Sequence, residues 1–317
     1  MDRYQQRHAD DRETKIQPAG RIGFWTAEHF TYVIMQQQTN TKQVIRWNQS
    51  KPTRVEDELV VEEPLEIRVG EQSLIVVMRT PGHDFELAAG FLYTESLIKS
   101  GDDIEIIAYC DEVDTNEKTN GHGAGLETMQ NIVNVHLTQN LNLEDQAGWQ
   151  RNFHANASCG LCGKMTIESV KHQVAPLDSV FRLHQRIFYK LNDRLRAAQS
   201  VFEKTGGLHA AGLFNENGEL LIVREDIGRH NAVDKVIGQA LLAEMLPLDK
   251  HILMVSGRAS FEIVQKALFA RIPIVVAVSA ASTLAVDLAD EGNLTLIGFM
   301  RGERMAVYSH PERIFSE

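Results

Sequence analysis

The sequence predicts an α/β chain, α+β overall, with a β-rich N-terminal part and a C-terminal α/β layer. Three observations carry this. Short apolar runs at Ile252–Val255, Ile274–Val278 and Leu294–Phe299 are separated by helically spaced stretches at Phe261–Ala270 and Thr283–Ala289. Apolar strands that alternate with helices point to a sheet that is parallel in part. Upstream, from about residue 43 to 145, β-branched and polar residues alternate, which favours strands and one helix. Between these regions, Asn217-Gly218 separates Leu208–Phe214 from Glu219–Val223, a strong hairpin turn signal.

The elements follow in order. Residues 1–42 are polar, mixed in charge and include Gln36-Gln37-Gln38, so they are expected to be poorly ordered. Two readings stand for them: an extension ahead of a start at Met35, or an N-terminal arm. Residues 43–150 are expected to form a β-rich domain. Within it, Glu58–Val69 and Ser73–Met78 read as a hairpin joined at Gly70-Glu71. Pro81-Gly82 breaks the pattern before a helix over Asp84–Ile98, whose apolar face holds Phe85, Leu87, Ala88, Phe91, Leu92 and Leu97. Residues 111–130 are charged and glycine-rich, hence a loop, and Ile132–Leu137 alternates as a strand. Residues 151–204 hold a cysteine loop and a connecting amphipathic helix over Arg182–Gln199. Residues 205–317 are expected to be an α/β ligand-binding domain.

Composition narrows the function classes. The chain has 317 residues, 43% of them hydrophobic and 24% charged, enough for a sizeable core. Its formal net charge of −11 argues against bulk nucleic-acid binding, which needs a broad basic face. There is no apolar run of about 18 residues and no compact apolar leader. No membrane span is expected, and the location is read as cytoplasmic. Only three cysteines occur, Cys110, Cys159 and Cys162, too few for a disulfide scaffold.

The first chemical constellation is Ser158-Cys159-Gly160-Leu161-Cys162-Gly163-Lys164. A thiolate is a strong nucleophile and accepts sulfur as a persulfide. The flanking glycines supply backbone freedom, and Lys164 favours the thiolate. Spacing alone leaves other readings open: redox exchange, a site of two thiolates plus histidines, or a structural pair.

The second is Arg224 to Lys235, dense in titratable groups after a predicted strand. Here Asp226 is expected to cap a helix from about Arg229, with Val233, Val236 and Ile237 on its buried face. A plain capped helix with a solvated charged face is the bland reading. Arg229, His230, Asn231, Asp234 and Lys235 are candidate ligand contacts, because α/β sheets place ligands at strand-to-helix junctions. Ser256-Gly257-Arg258-Ala259-Ser260 opens another helix and suits an anion. Ser279 and Ser282 sit at a third such junction, where plain N-caps are the alternative. Gly206 and Gly207 precede His209 and allow close backbone approach. Arg301-Gly302-Glu303-Arg304 follows the last apolar strand. Together these favour a phosphate-bearing ligand. No Walker loop and no Gly-x-Gly-x-x-Gly occurs.

Taken together, the cysteine segment, Thr205–His209, Arg224–Lys235, Ser256–Arg258 and Phe299–Arg304 resemble the formate dehydrogenase accessory sulfurtransferase family. The resemblance covers roughly residues 45–315. It implies a homodimer whose C-terminal domain is cytidine-deaminase-like and three-layered, without the deaminase zinc site and with no metal ligands of its own. It implies a sulfurtransferase that takes sulfur from a cysteine desulfurase as a persulfide. That sulfur goes to the molybdenum (or tungsten) bis(molybdopterin guanine dinucleotide) cofactor, bound as cargo and then supplied to formate dehydrogenase. By the same resemblance, Cys159 carries the persulfide, Cys162 assists, and Phe299, Met300, Arg301, Gly302, Glu303 and Arg304 bind the cofactor. The alternative is a non-catalytic zinc-binding or cofactor-carrying adaptor. A deaminase-like hydrolase rests on fold analogy alone, since no nucleophile and general-base pair is evident.

Overall fold

The computed structural model describes residues 36–48, 51–70, 72–110, 131–139 and 175–316. β1 (Thr39–Asn48) and β2 (Lys51–Val60) form an antiparallel ribbon with Thr39 opposite Val60. β3 (Glu63–Val69) and β4 (Gln72–Arg79) make the expected hairpin, and Gly70 supplies the left-handed turn residue at φ 59°. Helix α1 (Asp84–Thr94) leads to β5 (Ile104–Tyr109) and β6 (Ile132–Leu137). β6 lies parallel to β3, which gives a four-stranded sheet in the order β4-β3-β6-β5. Leu65, Ile67, Val77, Val133 and Val135 on its inner face pack against Leu87, Ala88 and Leu92 of α1.

Three element boundaries differ from expectation. The single strand over Glu58–Val69 is two strands. The Val61 amide donates to the Gln38 carbonyl (2.9 Å) and closes the ribbon before β3 begins. The helix expected through Ile98 stops at Thr94, because Ser96 is left-handed (φ 60°) and the Leu97 amide turns back to Leu92. The helix expected over Arg182–Gln199 is α-helical only in its second half. β7 (Leu183–His184) is taken up by pairing with the chain's last strand. The His184 ring then caps a 3-10 turn over Gln185–Lys190 by accepting the Arg186 amide (3.2 Å). Only then does α2 (Leu191–Ala198) form, followed by α3 (Ser200–Thr205), which ends at left-handed Gly206.

The remaining elements are β8 (His209–Phe214), β9 (Leu220–Asp226), α4 (Arg229–Leu242), β10 (Ile252–Val255), α5 (Phe261–Phe269), β11 (Ile274–Ala277), α6 (Thr283–Glu291), β12 (Thr295–Arg301), β13 (Arg304–Ser309) and β14 (Ile314–Phe315). Six of these strands build a mixed sheet in the order β13-β12-β11-β10-β8-β9. β10, β11 and β12 are parallel and the others antiparallel, so the fold is α/β within an α+β whole, as expected.

The central strands are apolar throughout because both of their faces are covered. Leu253, Val255, Val275 and Ala277 face α4, α5 and α6. Their neighbours Ile252, Met254, Ile274 and Val276 face Phe188, Leu191 and Leu195. Period-two alternation thus sorts one continuous apolar run into two cores. Among the described residues, no helix is long and apolar enough to cross a membrane.

The two sheets are joined where α1 crosses α4. Gly90 of α1 abuts the Asp234 carbonyl, and Gly238 of α4 abuts the Glu86 carbonyl. A Cβ at either position would collide with the backbone of the opposite helix. Neither backbone can give way without moving a whole helix. Gly238→Ala is therefore expected to cost about 3 kcal/mol of stability, read as a lower urea midpoint with an unchanged slope.

Candidate functional site

The topology gathers most of the polar segments at one edge. β10, β11 and β12 run parallel, so their carboxyl ends share that edge with the loops that follow them. β8 is antiparallel to β10 and therefore starts there, at His209. β9 ends there, with Asp226 opposite His209, and α4 starts three residues later. This is the edge at which α/β sheets bind ligands.

Asp226 does not cap α4; Gly228 holds that position. The Asp226 carboxylate is instead buried and saturated. It accepts from the amides of Thr80 (3.2 Å) and Gly228 (2.7 Å) and from Asn231 Nδ2 (2.9 Å), and it pairs with Lys235 Nζ (2.7 Å). Lys235 also donates to the Thr80 carbonyl (2.9 Å), and the Ile227 amide donates to Thr80 Oγ1 (3.2 Å). Asn231 Nδ2 reaches the Met78 carbonyl as well (2.8 Å). The loop that opens α4 is thereby tied to the end of β4.

Three expected ligand contacts are corrected by their burial. Lys235 and Met300 are fully buried and Asp234 is 2% exposed. Lys235 completes the pair with Asp226. Asp234 accepts from Thr94 Oγ1 (2.8 Å) and pairs with Lys266 Nζ (2.9 Å). Met300 belongs to the inner core. An interior partner offsets the burial of each charge, and the three side chains support the edge from behind.

The residues that do face the edge are rich in cations. Gly257 lets two of them approach: a Cβ there would lie 3.3 Å from His209 Nδ1 and 3.9 Å from Arg229 Cδ. Arg229 Nε is buried and finds no acceptor among the described residues. Arg258 is exposed. Burial, then the positive charge of Arg229, hold the His209 imidazole below its usual range, with Asp226 opposing in part. His230 Nε2 lies 2.5 Å from Glu262 Oε2 and 3.1 Å from Ser260 Oγ.

The serines act locally. Ser256 Oγ accepts the Ala210 amide (2.8 Å), and Ser282 Oγ caps α6 through the Ala285 amide (3.3 Å). The Ser279 carbonyl accepts the Phe299 amide (3.1 Å). Phe299 is left-handed (φ 53°) at a bulge, and its ring is 48% exposed. An aromatic residue pays for that backbone conformation only where the surroundings impose it. The exposed ring offers a stacking face. Beyond it, Arg301 and Arg304 stand opposite each other across the turn Gly302-Glu303, and all four residues are exposed. Gly206 and Gly207 are exposed at the base of β8, where a Cβ on Gly207 would lie 3.3 Å from Val60 of the ribbon.

Sequence reasoning missed Thr80 and Glu262. Thr80 carries no motif, and its role comes from residues nearly 150 positions away. Glu262 stands two residues past Ser260 in the first turn of α5, which reads as ordinary helix-start chemistry. Cys159 and Cys162 lie outside the described residues, and so does the expected loop over 111–130. Among the described residues no group of three or more His, Cys, Asp or Glu side chains could hold a metal ion. Chemically, the edge offers donors and positive charge, with no ion pair to its arginines among the described residues, beside one aromatic face. That suits an anion attached to a planar group.

The FdhD/NarQ family profile matches residues 60–315. A Streptomyces avermitilis protein named sulfur carrier protein FdhD is 47% identical over 281 residues, covering 87% of this chain and 95% of its own. A protein of the same name from Mycobacterium tuberculosis is 46% identical over 258 residues, 81% of this chain and 91% of its own. One from Sulfolobus acidocaldarius is 42% identical over 259 residues, 82% of this chain and 92% of its own. Among solved structures, a protein from Desulfotalea psychrophila assigned as a formate dehydrogenase accessory protein aligns with a TM-score of 0.67. It is 24% identical and covers 88% of this chain and 100% of its own, a likeness of fold.

The lowered His209 value has a sign that can be checked. The folded chain binds this proton less readily than the unfolded chain. His209 therefore contributes stability above the ordinary imidazole pKa of about 6.5, and that contribution is lost as pH falls through the lowered folded value. An NMR titration should find His209 below the ordinary value. Arg229→Gln should move it upward by removing a neighbouring positive charge. An unchanged His209 titration in that variant would contradict the electrostatic picture of the edge.

Proposed function

The chain belongs to the FdhD/NarQ family, and on that footing we propose that it is a sulfur carrier serving formate dehydrogenase. In this reading it is a sulfurtransferase. Cys159 accepts sulfur from a cysteine desulfurase as a persulfide. The cargo that receives the sulfur is the molybdenum bis(molybdopterin guanine dinucleotide) cofactor. The protein acts in the cytoplasm, as a homodimer, and its six-stranded domain corresponds to a cytidine-deaminase-like three-layer arrangement. Support for the sulfur role comes from the relatives' name. Support for the cargo comes from one observation: a cation-lined edge on a chain of net charge −11, with a buried arginine donor unmatched among the described residues.

The chemistry follows in two parts. In loading, the Cys159 thiolate attacks the outer sulfur of the donor persulfide. The bond from that sulfur to the donor cysteine breaks, the donor leaves as a thiolate, and the outer sulfur, keeping its own proton, ends on Cys159. Cys162, separated from Cys159 by Gly160 and Leu161, assists by shielding or sharing that sulfur. In holding the cargo, Arg229 and Arg258 face its phosphates at the mouth of β10. Arg301 and Arg304 add charge at the hairpin, and Phe299 offers a ring for the planar base.

Two measurements test this reading. After incubation with a cysteine desulfurase and cysteine, intact-mass analysis should show one sulfur added to the wild type and none to Cys159→Ala. A variant that still activates formate dehydrogenase would sink the assignment, and stoichiometric zinc with no persulfide would favour the adaptor alternative. The double variant Arg301→Ala/Arg304→Ala should bind guanosine diphosphate at least tenfold more weakly, two charge-assisted contacts being lost, while still forming the persulfide. Unchanged nucleotide binding would move the site elsewhere.

A further inference from the structure

Among the described residues at this edge, His230 is the imidazole held by a carboxylate. Its Nε2 lies 2.5 Å from Glu262 Oε2 and 3.1 Å from Ser260 Oγ. An ionised carboxylate only accepts hydrogen bonds, and a neutral imidazole carries a single N–H. The proton of the neutral ring is therefore on Nε2, and Nδ1 is left with its lone pair. Nδ1 lies on the side of the ring away from Ser260 and Glu262, which both belong to the start of α5. No hydrogen bond among the described residues engages it.

Glu262 is itself held. It is 7% exposed, and its charge acts on Lys266, which pairs with Asp234 (2.9 Å) and Glu95 (3.6 Å) and accepts nothing in return. Lys266 also donates to Thr94 Oγ1 (2.9 Å). Glu262 is thus buried beside the imidazole and within electrostatic reach of a buried cation.

We infer that Glu262 is a positioning residue that makes His230 a hydrogen-bond acceptor toward the ligand. The edge then reads a donor group, a sugar hydroxyl or a base N–H of a nucleotide, beside its phosphates. The distinction is chemical. Phosphate oxygens at this pH only accept, and Arg229 and Arg258 only donate, so the arginines serve the phosphates and Nδ1 does not. An imidazole acceptor among them has a use only if the ligand also brings a donor. This inference rests on the proposed nucleotide-bearing cargo and adds to it which part of the cargo His230 touches. The competing view is that the His230–Glu262 contact merely ties α4 to α5.

The test has two arms, both on the full chain at pH 8. Nitrogen NMR of the histidine-labelled protein should show His230 with a protonated Nε2 and an unprotonated Nδ1. The reverse tautomer, or protons on both nitrogens, overturns the inference without any variant being made. In the second arm, Glu262→Gln replaces a pure acceptor with a group that also donates, so the tautomer is no longer enforced. Guanosine diphosphate should bind this variant about five- to tenfold more weakly, the loss of one ordinary hydrogen bond. Inorganic pyrophosphate should bind within about twofold of the wild type, since no donor is presented. An equal loss for both probes identifies a merely structural contact and overturns the inference. A wild-type chain that binds neither probe removes the cargo reading itself, and the ligand half of this inference with it, whatever the tautomer.

Discussion

The crossing of α1 and α4, where the two helix backbones touch, sets the position of the polar groups around it. Gly90 and Gly238 let the two backbones touch, with Asp234 and Glu86 supplying the carbonyls on either side. Helices this near leave no room for side chains at the crossing point, so the polar groups flanking it must find partners on the opposite element. Arg224 forks onto Glu86 and reaches Gln239 (2.6 Å). Burial alone would raise the Glu86 carboxyl, but the hydrogen bonds from Arg224 and His83 outweigh it and hold it low. Asp234 takes Thr94 and Lys266. Asp226 takes Lys235 and the Thr80 amide. The contacts Arg224–Glu86, Thr94–Asp234 and Thr80–Asp226 span the two sheets, so the edge of one sheet is referenced to the helix and hairpin of the other.

Buried ion pairs contribute little net stability, because desolvation offsets most of the attraction. Their value here is directional. Asp226 is matched by four donors, and a carboxylate so satisfied has one orientation. The turn from β9 into α4 then has one course, and Arg229 and His230 leave it in fixed directions. The same logic holds at Arg79, which is fully buried and forks onto Asp84 (3.1 and 2.9 Å) while reaching Glu63 (3.1 Å) and Asn131 (2.9 Å). A hydrophobic isostere at these positions could keep the volume and lose the register.

Much of the architecture was legible because it is written in local pattern. The runs Ile252–Val255 and Ile274–Ala277 are apolar at every position because both faces are covered, and Asn217-Gly218 marks its hairpin by turn chemistry alone. What failed was non-local. Leu183 reads as helical until it pairs with Ile314 at the far end of the chain. Gly90 and Gly238 carry no motif; a glycine inside a helix costs about 1 kcal/mol, and only the crossing gives these two a purpose. Asp234 and Lys235 looked like solvated or ligand-facing charges, since no periodicity shows that opposite charges wait inside. The convergence of the polar segments was partly legible, since ends of parallel strands must share an edge. The identity of the groups behind them, Thr80 and Glu262, was not, because each acts across a sequence gap that carries no motif.

The hairpin at the end of β12 bears on what the edge is for. Arg301 and Arg304 are directly paired across the two strands, and no ion pair among the described residues engages either one. Like charges directly opposite on an antiparallel pair are destabilising. The bulge before them, with left-handed Phe299, adds backbone strain at the same place. A fold under no functional demand would be expected to relieve each by one substitution, an acid at one arginine and a glycine at position 299. A ligand carrying phosphates and a planar base would relieve the repulsion and use the exposed ring at once. The strained bulge and the unmatched arginines are then two parts of one adaptation: the bulge turns Phe299 outward while Met300 stays in the core, and the two guanidinium groups meet the charge that arrives beside it.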